Sequence, residues 1–426
     1  MPEQAGLPAR RTALAILSAV LRNKRPLDTQ LDPLQALEPR DAGFARALVS
    51  QTLRHLGILE AVIREFVPKP PPPHKVGPTN EILLLGACEL LILEVPPHAA
   101  VDAANFLAGV DNHSVHFKPL INAVLRRVSV EGEAVVAELD LERLSLPEWL
   151  WERWTQSYGE AVARQIAAAQ QMPPPLDIVL KKGAEAFPQS DPLLGPVRRI
   201  RDANAISGME GFAEGEWWVQ DVAATLPVKL FGKVEGRRVI DLCAAPGGKT
   251  MQLAAAGANV QAVDSDPKRL ERVRENLART HLTAQLMLAD AREVKLLAPM
   301  VLVDAPCTAT GTIRRHPDLP WIKGAADVTM AVSKSYEILE CAAEMVASDG
   351  ILIFTVCSLE REEGPEQVTA FLNSHPEFSR VPIMPEEVYG HGEWVTEAGD
   401  LRTMPFHLAE WGGMDGFYAV RLHRMS

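Results

Sequence analysis

Two cysteines carry the first chemical signal. Cys307 stands in "VDAPCTATG" and Cys357 in "TVCSLE", each just beyond an apolar run that reads as a β-strand. A lone cysteine at a strand end is usually an inert small residue. Two at adjacent strand ends, one in a Pro-Cys turn, suit covalent catalysis, in which one hard step is split into easier ones. Cytosine C5 is a poor nucleophile. Addition of a thiolate to C6 turns the ring into an enamine-like species that attacks a methyl sulfonium. A base must then take the C5 proton so that the thiolate can leave. Two thiols and a carboxylate meet that demand.

A second signal is "DLCAAPGGKT", residues 241–250, whose tail looks like the end of a P-loop. A P-loop requires G-x-x-x-x-G-K-[ST], and its first glycine lets the loop wrap phosphates. The position five before Gly248 is Cys243, so that glycine is missing. The strand "MVLVD" keeps an ATPase as an alternative, since its aspartate resembles a magnesium-holding residue. A nucleoside lying across a sheet edge fits better. It needs close backbone approach after the first strand, at Gly247 and Gly248, and an acid after the second to accept from ribose hydroxyls. Asp264 falls 23 residues after Asp241, the usual interval. Asp290 is placed to meet the adenine amino group. The cofactor implied is an adenosine without a triphosphate, and S-adenosylmethionine is the natural candidate.

These residues need a sheet to position them. From about 236 the pattern alternates strand and helix: "RRVIDL", "NVQAVD", "AQLML", "MVLVD" and "ILIFTV" read as strands, with "PKRLERVRENLART" and "SKSYEILECAAEMVAS" as helices between them. Such alternation predicts an open, mostly parallel sheet covered on both faces, with ligands beyond the carboxyl ends of its strands. Residues 9–130 have apolar residues at helical spacing and predict an all-α unit of five to seven helices, interrupted by the loop "VPKPPPPHK". Between them, 131–235 reads as a small α+β connecting subdomain. Trp149, Trp151 and Trp154 sit there at a helix start, and core packing is the expected role for them.

Composition bounds the partners. The chain has 426 residues, 47% hydrophobic, enough for two or three domains. No apolar run is long enough to span a membrane, and the start does not read as a signal peptide. Five scattered cysteines suit a reducing cytoplasm. No metal site is expected. The net charge of −12 argues weakly against nucleic acid, but residues 1–130 carry 14 basic and 12 acidic side chains against 29 and 43 in the remainder. Short basic clusters at 22–25, 126–127, 198–201 and 314–315 are candidates for phosphate docking.

The stretches "VIDLCAAPGGKT", "VLVDAPCTATGTIRRHPDLPW" and "TVCSLEREEGPEQV" closely resemble the signature motifs of the Sun/Nop family of RNA cytosine-C5 methyltransferases. "WWVQD" at 217–221 and "DGFYAVRL" at 415–422 resemble two further family segments. "HAAVDAANFL" and "FKPLINAVLRR" resemble the NusB-type RNA-binding helical domain that marks the bacterial branch acting on small-subunit ribosomal RNA. The resemblance implies a NusB-like helical domain at 1–130 and a class I Rossmann-like methyltransferase domain at 236–426. It implies S-adenosylmethionine as cofactor and a monomer acting on ribosomal RNA, with Cys357 as nucleophile and Cys307 assisting release. Asp304 would contact the cofactor or the cytosine edge. Cys243, Ala244, Ala245, Pro246, Gly247, Gly248 and Lys249 would line the cofactor loop, Asp264 hold the ribose and Asp290 lie near the adenine. Lys249 is also expected to favour a thiolate nearby. Two departures stand out: Val356 where the family usually has Thr, and Arg361-Glu362 in place of Pro-Glu. The alternatives are a transfer-RNA cytosine methyltransferase and a non-catalytic RNA-binding assembly factor, though pure binding needs neither cysteine.

Overall fold

The computed structural model describes residues 6–67, 75–184, 190–200 and 206–426. Most of "VPKPPPPHK", the first five residues and Arg201 of the "RRIR" cluster lie outside the described residues. The chain divides into two compact units, Met1–Met172 with Ile313–Gly324, and Pro173–Thr312 with Ala325–Ser426.

The first unit is helical: α1 (Leu7–Asn23), α2 (Pro39–Arg54), α3 (Leu56–Phe66), α4 (Thr79–Leu91), α5 (Pro97–Val110), α6 (Lys118–Ala137), α7 (Leu141–Leu144), α8 (Glu148–Tyr158) and α9 (Glu160–Gln170). Proline stands in the first turn of α1, α2, α5 and α6, where its missing N–H costs no helix bond. Helix α4 is apolar nearly all round and lies at the centre of the core. Its two buried carboxylates are matched by arginines of α1. Arg10 Nε reaches both Glu89 oxygens at 3.0 Å and Arg22 Nη2 meets Glu81 at 2.6 Å. Cys88 is fully buried here, and burial pushes its thiol up to about 12, as suits a packing residue. The expected boundary at 130 falls inside α6, and α7 to α9 remain in this unit. Trp154 is fully buried, and the ring of Trp151 carries the guanidinium groups of Arg143 and Arg164 at 5.0 and 5.3 Å. Packing, not base stacking, occupies both.

The second unit opens with a four-stranded antiparallel sheet. Its strands β1 (Leu176–Leu180), β2 (Ser190–Pro192), β3 (Val197–Ile200) and β4 (Trp217–Val219) lie in the order β2-β3-β1-β4. The connecting stretch 131–235 is thus shared, its helices in one unit and its strands in the other. There follow α10 (Val222–Lys229), β5 (Arg238–Leu242), α11 (Gly248–Ala255), β6 (Asn259–Asp264), α12 (Pro267–Arg279), β7 (Gln285–Leu288) and β8 (Ala298–Asp304). After α13 (Leu319–Ile322) come α14 (Ala325–Met345), β9 (Val346–Val356), α15 (Pro365–Ser374), β10 (Phe378–Arg380), β11 (Leu401–Arg402) and β12 (Tyr418–Arg424). The large sheet has the order β10-β12-β9-β8-β5-β6-β7, with β11 on β12. The five strands read from the sequence, β5 to β9, are mutually parallel, and β12 and β10 extend the sheet antiparallel. Alternation along each strand feeds two cores. Val239, Met300, Leu302 and Ile353 face one layer, and Ile240, Val301, Val303, Leu352 and Phe354 the other.

The segment Ile313–Gly324 leaves the second unit just after the Cys307 turn and packs with the helices. The Leu27 N–H donates to Asp318 at 2.9 Å, Lys24 Nζ to the Trp321 carbonyl at 2.8 Å, and Trp321 Nε1 to the Leu53 carbonyl at 2.8 Å. Arg54 donates to the Arg314 and Gln170 carbonyls at 2.8 and 2.9 Å. Basic clusters are therefore partly spent on structure: Arg22 and Lys24 are committed, Arg314 is buried, and Arg199 forms a buried pair with Asp177 at 2.6 Å.

Burial pushes His55, beside the Arg54 cation, down from 6.5 to about 4, and burial does the same to His407 in the second unit. Both are neutral in the fold and protonate first in the unfolded chain. Their contribution to stability is complete above pH 6.5 and is lost as pH falls toward 4. The melting temperature should decline across that window, and His55→Gln should flatten part of the decline. Parallel pH–melting curves for wild type and variant would contradict it.

Candidate active site

The loop after β5 is built from small residues under close constraint. Cys243 has φ 60° and Gly247 φ 104°, the left-handed region, and a Cβ at Gly247 would lie 3.2 Å from Val273 of α12. Asp241, fully buried, accepts from Thr250 Oγ1 at 2.5 Å and so ties the strand end to α11. Burial raises its carboxyl to about 7, and its second oxygen has no hydrogen-bond partner. Asp264, at the end of β6, accepts from the Ala245 N–H at 3.1 Å and the Asp266 N–H at 3.0 Å. Arg269 and Asn276 of α12 hold the Ala245 and Pro246 carbonyls at 2.7 and 3.2 Å. The loop backbone is therefore fixed before any ligand arrives.

These groups fit an adenosine-bearing sulfonium. The strand ends supply carboxylate acceptors, the buried Asp241 has an unpaired oxygen, and the loop allows close backbone approach. Triphosphate is a poor match. Lys249, which would serve phosphates in a P-loop, is 2.7 Å from Asp304 and 5.1 Å from the centre of the Phe417 ring. Cys243 is pushed up to about 12, by burial first and then by Asp304, Asp264 and Asp241. Asp290 follows β7, as expected, but its carboxylate is clasped by Arg292 at 2.7 and 2.9 Å, which holds it at about 2.

The parallel pairing of β8 and β9 sets Asp304 opposite Thr355, and the Ala305 N–H donates to the Thr355 carbonyl at 2.9 Å. Cys307 and Cys357 follow within three residues, and their sulfurs are 3.5 Å apart. Hydrogen bonding to Cys357 is the first cause that raises Cys307 well above the usual thiol range, followed by burial and the negative charge of Cys357. One proton can lie between the two sulfurs, and either thiol can donate it. The two turns are stitched together beyond the sulfurs. Gly311 N donates to the Cys357 carbonyl at 3.0 Å and Gly416 N to the Gly311 carbonyl at 2.8 Å. A Cβ on Gly311 would sit 2.0 Å from the Gly416 oxygen, so only glycine allows this approach. The "WWVQD" and "DGFYAVRL" segments meet here as well, since Asp415 N donates to Asp221 at 3.2 Å.

Val356 is fully buried in the apolar layer with Leu352 and Phe354, so its methyl groups pack where a threonine hydroxyl would need a partner. The Arg361-Glu362 departure falls in a turn in which Gly364 and Glu366 donate to the Arg361 carbonyl at 3.2 and 3.1 Å, and α15 starts normally at Pro365. One buried carboxylate was missed from the sequence. Glu363 accepts from Thr308 N and Oγ1 at 2.7 and 2.6 Å and from the Ser358 hydroxyl. The only signal for it was an acid six residues beyond Cys357, in a stretch rich in acids.

A parallel sheet with a glycine loop and acidic strand ends, a paired-thiol edge and antiparallel final strands defines a class I S-adenosylmethionine-dependent methyltransferase. The chain matches the family described as "16S rRNA methyltransferase RsmB/F" over residues 228–423 and the NusB family over 7–130. It is 32% identical to "Ribosomal RNA small subunit methyltransferase B" of Pasteurella multocida, covering 98% of this chain and 96% of the relative. It is 33% identical to the protein of that name in Serratia proteamaculans, over 86% and 90%. The chain belongs to this RsmB/F methyltransferase family. Among solved structures, PH0851 shares the fold with TM-score 0.78 at 22% identity, over 98% of this chain and 99% of its own. NSun6 from Pyrococcus horikoshii, crystallised with SFG, does so with TM-score 0.57 at 16% identity, over 66% and 98%.

Asp264→Ala should weaken S-adenosylmethionine binding by about 1–3 kcal/mol, since it removes an acceptor and leaves the Ala245 N–H buried without one. Calorimetry without RNA reads this directly. Unchanged affinity would remove Asp264 from the cofactor site.

Proposed function

We propose that this protein methylates C5 of a cytosine in ribosomal RNA, in particular the small-subunit RNA, through a covalent Cys357 adduct. The observation that carries the chemistry is the 3.5 Å approach of Cys307 and Cys357 at adjacent strand ends. The names of the relatives support the RNA assignment. When bound, S-adenosylmethionine supplies the methyl group for C5. Ala244, Ala245, Pro246, Gly247 and Gly248 line its cradle with Cys243 and Lys249, Asp264 serves the ribose and Asp290 the adenine edge. Asp304, steadied by Lys249, faces the cofactor or the cytosine edge.

Cys357 Sγ bonds to C6, which makes C5 nucleophilic. After C5 is methylated, its proton leaves to a base, the C5–C6 double bond re-forms and the C6–S bond breaks, returning the thiolate. Cys307, 3.5 Å from the Cys357 sulfur, stands where a base for the C5 proton is needed. Its own proton passes to solvent once the Cys357 sulfur is bonded to carbon, and the resulting thiolate takes the C5 proton, directly or through a relay.

The helical unit docks RNA in this reading, with Arg25, Arg126 and Arg127 among its exposed cations. The protein acts as a monomer in the cytoplasm, and no helix among the described residues is long and apolar enough to cross a membrane. Removing residues 1–130 would strip Leu27, Leu53 and Lys24 from the 313–324 segment, so charge reversals test docking more cleanly. Arg25→Glu with Arg126→Glu should flatten the salt dependence of RNA binding by roughly one to two counterions, with cofactor affinity unchanged. An unaltered slope assigns docking elsewhere.

Mapping 5-methylcytosine in RNA from a deletion strain tests the function. A small-subunit cytosine should lose its methyl group; loss in transfer RNA alone would move the substrate, and no loss anywhere would end the proposal. Cys307→Ala should accumulate an RNA–protein band that survives denaturing electrophoresis, whereas Cys357→Ala and the double variant should not. A band with Cys357→Ala would exchange the two roles.

A further inference from the structure

The two cysteine turns share one buried anchor. Glu363 is 0% exposed. One of its oxygens accepts the Thr308 N–H at 2.7 Å, and the other accepts the Thr308 hydroxyl at 2.6 Å and the Ser358 hydroxyl. Thr308 follows Cys307 and Ser358 follows Cys357. The hydroxyls are themselves fixed: Thr310 Oγ1 lies 3.1 Å from Ser358 Oγ and accepts the Leu359 N–H at 3.0 Å, and the Glu360 N–H donates to Ser358 Oγ at 3.0 Å. Arg402 secures the Ser358 carbonyl at 2.7 Å.

Burying a carboxylate among neutral donors is a costly way to add stability. The strands already pair through backbone bonds, including Ala305 to Thr355 and Gly311 to Cys357. What the carboxylate adds is a fixed relation between residues 308 and 358, one bond each from the two thiol-bearing residues. A hydroxyl pair alone would leave either turn free to rotate its sulfur away.

We propose that Glu363 is a positioning residue for cytosine methylation, its buried carboxylate clamping Thr308 and Ser358 so that the Cys307 and Cys357 sulfurs stay in register. This rests on the function proposed above. The carboxylate is fully buried and acts only through the two turns. Losing it leaves ligand binding intact and misplaces the thiols, and a displacement on the order of 1 Å costs roughly a hundredfold in rate.

The test uses the full-length chain as wild type, Glu363→Ala and Glu363→Gln, each also combined with Cys307→Ala. For Glu363→Ala, kcat should fall roughly a hundredfold, with KM for S-adenosylmethionine and RNA affinity unchanged. Adduct formation in the Cys307→Ala background should slow by a similar factor. Glu363→Gln keeps an oxygen for the Thr308 N–H, but its amide nitrogen can accept from neither hydroxyl, so it should recover only part of the rate. If the alanine variant does not fold, the glutamine variant decides: slowed kcat at unchanged KM supports the clamp, and wild-type kcat overturns it. A joint loss of cofactor binding, RNA binding and melting temperature, with no recovery in Glu363→Gln, would reduce Glu363 to a structural role and overturn the proposal. Wild-type protein that forms no adduct and methylates no cytosine would end the functional reading and the clamp together. Working wild type with an indifferent Glu363→Ala would end the clamp alone.

Discussion

The candidate site depends on one pairing, the parallel register of β8 and β9. It joins two cysteines that are 50 residues apart in the chain. Closing so long a loop is entropically unfavourable and must be offset by burial along the way. The sheet supplies that burial on both faces. Met300, Leu302 and Ile353 pack in one layer, and Val301, Val303, Leu352 and Phe354 in the other. A slip of one residue in either strand would reverse those faces. The register that keeps the core dry is therefore the one that holds the sulfurs together.

Charge at the strand ends is the second constraint. Asp241, Asp264 and Asp304 gather around the glycine loop, with Lys249 bonded to Asp304. Burial of Asp241 and Cys243 in this acidic setting favours their protonated forms. A cationic sulfonium is matched to such surroundings, and a triphosphate is not. The thiol pair follows the same logic at closer range. Two neighbouring thiolates repel, so the pair titrates as a unit and favours keeping one proton between the sulfurs.

The helical unit is completed from the middle of the chain. Residues 313–324 bring Trp321, Asp318 and the Arg314 carbonyl to partners on α2 and in the turn after α1. The turn that bears Cys307 thus runs by covalent continuity into a segment anchored among helices. Part of the basic character near the N-terminus serves that anchoring. Charge counts overstate what is left for phosphates, because Arg22, Lys24 and Arg54 donate to internal acceptors.

Local pattern alone determined the helical first half, the five parallel strands and the glycine loop, because apolar period and turn residues are short-range signals. The strand order expected for such a sheet also made Cys307 and Cys357 neighbours before any coordinates. Non-local packing decided the rest. Residues 131–235 read as one subdomain, yet α7 to α9 bury their apolar faces in one unit and β1 to β4 pair in the other. Strand β12 reads from sequence only as part of a motif, since its apolar alternation acquires meaning beside β9. From sequence alone Lys249 reads as an aid to a thiolate, and the fold adds the Asp304 carboxylate at 2.7 Å, a partner no local pattern shows. Glu363 looked like one acid in an acidic run. Its neutral donors lie 55 and five residues away, and only the folded chain collects them around a single buried carboxylate.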